Sequence, residues 1–325
     1  MKFRTELSIV PNPNPISYED PVMFIGSCFS QNMGLIMQKY KFNVTINPFG
    51  TIFNPISISK VLQTAIDKSY PSIDQLHHSQ GIWVHPDYHS VLSSSDQNTT
   101  IVNIKTAIDL THNNLRKAHY IFITLGTSSA YVLNDTQEVV SNCHKLPSSM
   151  FTKTLLPLQE SLEALQNVIL QIQQFNPNVH IVITVSPVRH IKDGIVENQR
   201  SKSRLIEVAH SLTENLQNVS YFPAYEWLMD DLRDYRFYSD DLIHPAQNAI
   251  QYIWEKFSDH YFSNQTLDVL KEIRNIVVAG EHTLFQSNSA ESIDFKKRYS
   301  EKIHRLVEKH PCLNFDQELD KFAHA

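Results

Sequence analysis

A chain of 325 residues is long enough to bury one large core or two moderate ones. Hydrophobic residues make up 42% and charged residues 19%, and no window approaches the ~18 consecutive apolar residues that cross a bilayer, which excludes a membrane-inserted class. The net charge of -6, with lysines and arginines dispersed among acids, gives no basic footprint for nucleic acid and favours a small-molecule substrate.

The opening segment, Met1 to Leu7, places Arg4 and Glu6 where a secretory leader needs apolar residues, so a cytoplasmic location is expected. The three cysteines, Cys28, Cys143 and Cys312, are too few and too scattered for a disulfide framework or a zinc ribbon, and reduced thiols are expected.

Along the chain, short apolar runs rich in β-branched residues recur at Val22 to Ile25, Val44 to Ile46, Tyr120 to Leu125, Val179 to Val185 and Val219 to Phe222. Each is bounded by Gly, Pro, Asn or Ser, the pattern of buried parallel strands. Amphipathic stretches lie between them at 56–67, 102–117, 197–217 and 246–261. A further apolar stripe runs through Leu158, Leu162, Leu165, Ile169 and Ile172, stepping by four and three as one helix face does. Alternating strand and helix predicts a doubly wound sheet. Two stretches depart from the alternation. The segment 71–100 is polar and rich in Ser and His, and Tyr131 to Val140 predicts a hairpin turning at Asn134-Asp135. Past residue 262 the pattern is polar and helical without another strand.

Glycine is scarce enough that position matters, and Gly26, Gly50 and Gly126 follow three successive predicted strands. In open α/β sheets ligands bind at such strand ends. The first of these turns reads Phe24-Ile25-Gly26-Ser27-Cys28-Phe29-Ser30. A thiol there sits at a helix N-terminus, whose N–H groups stabilise a thiolate and donate to an oxyanion, so Cys28 is expected to titrate below an ordinary thiol. Two readings stand side by side: Cys28 as nucleophile, or Cys28 as a small buried residue with Ser27 capping the helix.

A second element, Ser239-Asp240-Asp241-Leu242-Ile243-His244-Pro245, precedes the helix pattern of 246–261. A carboxylate three residues before a histidine can bond the ring and fix its tautomer for proton transfer. Strand order would bring this loop and the Cys28 turn to the same sheet edge.

Together these strings resemble the SGNH/GDSL hydrolase superfamily, and Gly26-Ser27-Cys28-Phe29 resembles the signature of the allied bacterial GSCFA family. The resemblance implies a flavodoxin-like domain of SGNH-hydrolase type over 1–262, with insertions near 71–100 and 131–147 and a helical extension over 263–325. Its first block would put Cys28 on the nucleophile position, with Ser27 as the alternative nucleophile, and its last block falls on Asp241, His244 and Pro245. Its second block implies that the N–H groups of Gly50 and Cys28 form an oxyanion hole. The third block departs, because the superfamily's Gly-x-Asn-Asp is Gly126-Thr127-Ser128-Ser129 here; Ser129 or Asn54 are the candidate replacements.

Two further strings lie at predicted strand ends or beside them. Arg189 and His190 follow the fourth strand and are candidate substrate contacts, while Cys143 and His144 form a second adjacent thiol and imidazole. The histidines at 77, 78, 85 and 89, with Asp74 and Asp87, match no zinc spacing, and an insertion packing over the site accounts for them without a metal. Aromatics from Tyr221 to Tyr238 are candidates for an acyl or sugar pocket. The expected chemistry is hydrolysis of an ester or thioester, without a cofactor, through Cys28, His244 and Asp241. An acyltransferase on the same fold, or a silent module that binds acyl or carbohydrate ligands, are the alternatives.

Overall fold

The computed structural model describes residues 4–281 and 289–324. Five strands form one sheet: β1 (Val22–Gly26), β2 (Val44–Ile46), β5 (Tyr120–Leu125), β9 (His180–Val185) and β10 (Val219–Tyr221), in the order β10-β9-β5-β1-β2. Renumbered one to five along the chain this is 2-1-3-4-5, the flavodoxin-like doubly wound order, as expected. β1 with β5, β5 with β9 and β9 with β10 pair in parallel, with Gly26 opposite Thr124 and Leu125 opposite Val185. Every residue of β1 and of β5 is buried. That is the environment that near-continuous Val, Ile and Phe runs require, because helices cover both faces.

The helices α2 (Pro55–Asp67), α3 (Gln97–Lys117), α4 (Leu158–Phe175) and α5 (Ile195–Asn215) lie where the 3.6-residue periodicity placed them, and α1 (Cys28–Lys39) starts at the turn after β1. In α4 the stripe buries Leu165, Val168, Ile169 and Ile172 against the sheet. The hairpin predicted over 131–140 is β6 (Ser129–Leu133) with β7 (Val139–Val140), pairing Tyr131 with Val140. It gains a third strand, β8 (Phe151–Leu155), that the sequence patterning did not signal. The His-rich insertion likewise contains a small hairpin, β3 (His77–Ser79) and β4 (Ile82–Val84). Strands of three residues, His-His-Ser and Ile-Trp-Val, are too short to show a period.

The described residues group into two compact units. The first comprises Pro21–Gly34 and Thr45–Ile253 with the described residues before Ser8, and holds the sheet and its insertions. The second comprises Ser8–Asp20, Leu35–Val44 and the described residues from Trp254 onward. In the second unit Phe42 stacks on Tyr18 at 4.1 Å and on Phe262 at 4.7 Å, and Asn12 N–H donates to the His260 carbonyl at 2.7 Å. Helices α8 (Asn264–Glu281), α9 (Ala290–Lys309) and α10 (Asp316–His324) continue it. In chain order β10 is followed by the short α6 (Ala224–Glu226) and then by α7 (Gln247–Tyr261), whose residues up to Ile253 belong to the first unit and those from Trp254 to the second.

Candidate active site

The turn after β1 is built around a glycine. Gly26 has φ +130°, and a Cβ there would lie 2.2 Å from the Thr124 carbonyl oxygen, so no side chain fits. Its N–H donates to Asn47 Oδ1 at 2.9 Å, and Asn47, itself buried, thereby pins the turn from the neighbouring strand. Ser27 N–H donates to the Thr124 carbonyl, and Ser27 Oγ accepts from Phe29 N–H at 3.2 Å, capping α1. With 1% of its surface exposed, Ser27 is committed to that cap. Cys28, the first residue of α1, stays half-buried.

Burial pushes the Cys28 thiol up from its ordinary value; the N–H groups of Cys28 and Phe29 and the charge of Lys202 pull the other way without prevailing. The expectation of a lowered thiol pKa is corrected accordingly: loss of hydration outweighs the helix start.

The Asp-x-x-His loop is a tight self-bonded turn. Asp241 Oδ2 lies 2.7 Å from His244 Nδ1, while Oδ1 accepts the N–H groups of Ile243 and His244 at 2.9 and 3.0 Å. These bonds, with the His244 side-chain bond foremost, hold the Asp241 carboxyl down at about 2. The bond fixes Nδ1 and leaves Nε2 as the free nitrogen. The loop is tied to the chain leaving β9, since Arg189 N–H donates to the Ile243 carbonyl at 3.1 Å and its guanidinium to the Leu242 carbonyl at 3.0 Å. Arg189 is thus occupied with the loop and stacked near the rings of Tyr235 and Tyr238, at 5.8 and 5.4 Å. Those three side chains also line a cleft of about 230 Å³ with Gln199 and Tyr225. No hydrogen bond joins the Cys28 sulfur to His244 among the described residues.

The expected oxyanion donors are largely occupied. Gly50 N–H donates to the Asn47 carbonyl at 2.8 Å, closing a turn, and a Cβ on Gly50 would overlap His89. Asn54 caps α2, its Oδ1 accepting from Ser57 N–H and its Nδ2 donating to Ser57 Oγ. Ser129 lies at the start of β6 with its N–H on Thr127 Oγ1. Ser128, where the third block would carry its Asn, is buried and donates through N–H and Oγ to Ser201.

Cys143 and His144 are not joined by any hydrogen bond to Cys28 or His244. The His144 ring contacts the His85 carbonyl at 2.9 Å, and its own carbonyl accepts from Ser79 Oγ, so it holds the β3–β4 hairpin. Burial pushes the Cys143 thiol up. The His-rich insertion reaches the turn after β2, where His89 N–H donates to the Phe49 carbonyl.

Two residues escaped the sequence reading. Asn47 gave no signal, since an Asn before Pro reads as a turn. Lys202 did leave one: it falls on the buried face of α5 with Ser201, Leu205, Val208 and Ala209. Its ammonium, 1% exposed as a residue, donates to the Gly126 and Ser186 carbonyls at 2.7 and 2.6 Å, at the ends of β5 and β9. Burial pushes it down to about 7, and proximity to Cys28 partly offsets the fall.

The sheet order and this strand-end geometry define a flavodoxin-like α/β domain carrying a half-buried thiol and an Asp–His pair on its C-terminal loops. The chain belongs to the GSCFA family, whose model matches residues 21–257. A comparison with curated proteins finds no match. Among solved structures, the chain is similar to a family two carbohydrate esterase from Clostridium thermocellum in complex with cellohexaose, at 12% identity and TM-score 0.36, covering 75% of this chain and 64% of that one. It is also similar to an acetyl xylan esterase (Est2A) from the rumen bacterium Butyrivibrio proteoclasticus, at 11% identity and TM-score 0.38, covering 75% and 63%. A third is the psychrotrophic esterase EstA from Pseudoalteromonas sp., at 12% identity and TM-score 0.34, covering 79% and 100%.

Proposed function

We propose that this protein hydrolyses an ester or thioester through Cys28, His244 and Asp241. The reading is carried by the Asp241–His244 pair: a carboxylate held ionised against Nδ1 with Nε2 left free, on a loop bonded to the chain that leaves β9. The capping role of Ser27 favours Cys28 as the nucleophile of the turn.

In this mechanism the Cys28 sulfur attacks the carbonyl carbon and its proton passes to His244 Nε2. The bond to the leaving oxygen or sulfur then breaks, and His244 returns the proton to the leaving group. Water, deprotonated by His244, attacks the thioester on Cys28, releasing the acid and restoring the thiol. The sulfur and the imidazole have to close on each other when substrate binds, as catalytic hydrogen bonds commonly tighten in the complex. A small alcohol replacing water would give acyl transfer by the same steps. The cleft that Arg189 lines, walled by Tyr225, Tyr235 and Tyr238, would seat the leaving group.

The test is acylation by an activated aryl ester or thioester, followed by intact mass and turnover. Cys28→Ala should abolish the adduct and Ser27→Ala should retain it, while Asp241→Asn should lower kcat by ~10²–10⁴ with little change in KM. Unchanged turnover in Cys28→Ala would refute the reading. A second reading, a silent binding module for acyl or carbohydrate ligands, is favoured by the raised thiol and by the occupied N–H of Gly50. Failure of every activated ester to acylate the protein would select it.

A further inference from the structure

The side-chain donor that the third block lacks leaves a place in the site, and one buried polar atom has no other employment. His190 follows β9, five residues past Val185, with its N–H fixed on Asn198 Oδ1 at 2.8 Å and its ring edge-on to Phe53, the centroids 5.7 Å apart. Its Nε2 is sealed from solvent and has no hydrogen-bond partner. Buried polar atoms are paired in the great majority of cases, and an exception calls for a role.

The position of that nitrogen is specific. It lies 3.4 Å from where a Cβ on Gly126 would stand, which places it against the backbone that leaves β5. Gly126 leaves β5 two residues past Thr124, and Cys28 leaves β1 two residues past Gly26, the residue paired with Thr124. The two turns are therefore neighbours on one edge. Four charged or titratable groups act electrostatically on the ring: Lys202 from α5, His244 from its loop, Lys153 from β8 and Asp193. Burial, reinforced by Lys202, His244 and Lys153, pushes the imidazole down to about 4, so near neutral pH the ring is uncharged and carries one proton.

We propose that His190 Nε2–H is the side-chain hydrogen-bond donor to the carbonyl oxygen of the bound substrate, in the place of the asparagine missing from the third block. The inference rests on the acyl-hydrolase reading. Ser128, Asn54 and Gly50 have their donors engaged within the protein, whereas this nitrogen waits for an acceptor. A neutral donor shielded from water stabilises charge that develops only as the carbonyl becomes tetrahedral, so its effect belongs in kcat.

The experiment compares His190→Phe, which keeps an aromatic ring without a donor, with His190→Gln, which restores an N–H at similar reach. His190→Phe should lower kcat for the aryl ester by ~10²–10³ with KM nearly unchanged, and His190→Gln should recover part of the loss. Alkylation of Cys28 by iodoacetamide should proceed at the wild-type rate in both, which separates loss of the donor from collapse of the site. Should His190→Phe fail to fold by near-ultraviolet circular dichroism, His190→Met serves as the donor-free arm. Wild-type kcat in a folded donor-free variant overturns the proposal while leaving the hydrolase reading intact, and so does a His190→Gln enzyme no faster than the donor-free one. A wild-type protein that forms no acyl adduct overturns both.

Discussion

The guanidinium of Arg189 donates to the carbonyl of Leu242 at 3.0 Å, and Leu242 is a non-glycine residue at φ +55°, two positions before His244. A left-handed leucine costs local energy and persists where its surroundings over-determine it. Arg189 supplies two of those constraints, one from its backbone N–H and one from its side chain. Arg189→Ala should therefore let the loop relax and lower kcat roughly 10- to 100-fold, because small misplacements of a proton-transfer group are costly. Arg189→Lys should resemble Ala more than wild type, since an ammonium lacks the planar fork that reaches the carbonyl while lying against two tyrosines. Steady-state kinetics on the aryl ester check this, and a wild-type kcat for Arg189→Ala would remove the arginine from the mechanism.

The Gly26 turn carries a stability prediction. Gly26→Ala sets a Cβ against the Thr124 carbonyl in a backbone region that L residues rarely adopt, and the strain alone is about 1–3 kcal/mol. Asn47→Ala leaves the buried Gly26 N–H without its acceptor, at a cost of about 1–3 kcal/mol. Urea unfolding should show both losses, with Gly26→Ala the larger because overlap adds to strain. Equal or higher midpoints for Gly26→Ala would contradict the placement of the turn.

Lys202 makes stability depend on pH in an unusual direction. Its folded value of about 7 lies below the ordinary lysine value of 10.5, so between those pH values the unfolded chain binds the extra proton and the folded chain does not. Stability should then rise with pH from about 7 toward 10.5 and be flat in this respect outside that window. Lys202→Met should remove that rise, seen as a smaller gain in urea midpoint between pH 7 and pH 10 than wild type shows.

Much of the fold was legible because it rests on periodicity. Buried runs such as Tyr120 to Leu125 and the stripe of α4 declare their partners as layers, and the order of alternating elements leaves few ways to wind a sheet. The site was legible where its chemistry is local: Asp241 and His244 are three residues apart and meet within one turn, and Gly26 announces a backbone that only glycine adopts. What stayed hidden was β8, whose Phe151–Leu155 pattern acquires meaning only by pairing with β6. The state of Cys28 was hidden as well, because the helix start that lowers a thiol was visible while the burial that raises it was not.

From the residues alone came the doubly wound class, the glycine turn with its adjacent thiol, and the carboxylate–imidazole spacing, since each depends on neighbours within a few positions. Tertiary structure alone decided which lysine lies beneath two strand ends and which imidazole nitrogen is left unpaired at Gly126. Those outcomes depend on hydration lost and hydrogen bonds made between segments tens of residues apart, and no local pattern encodes them.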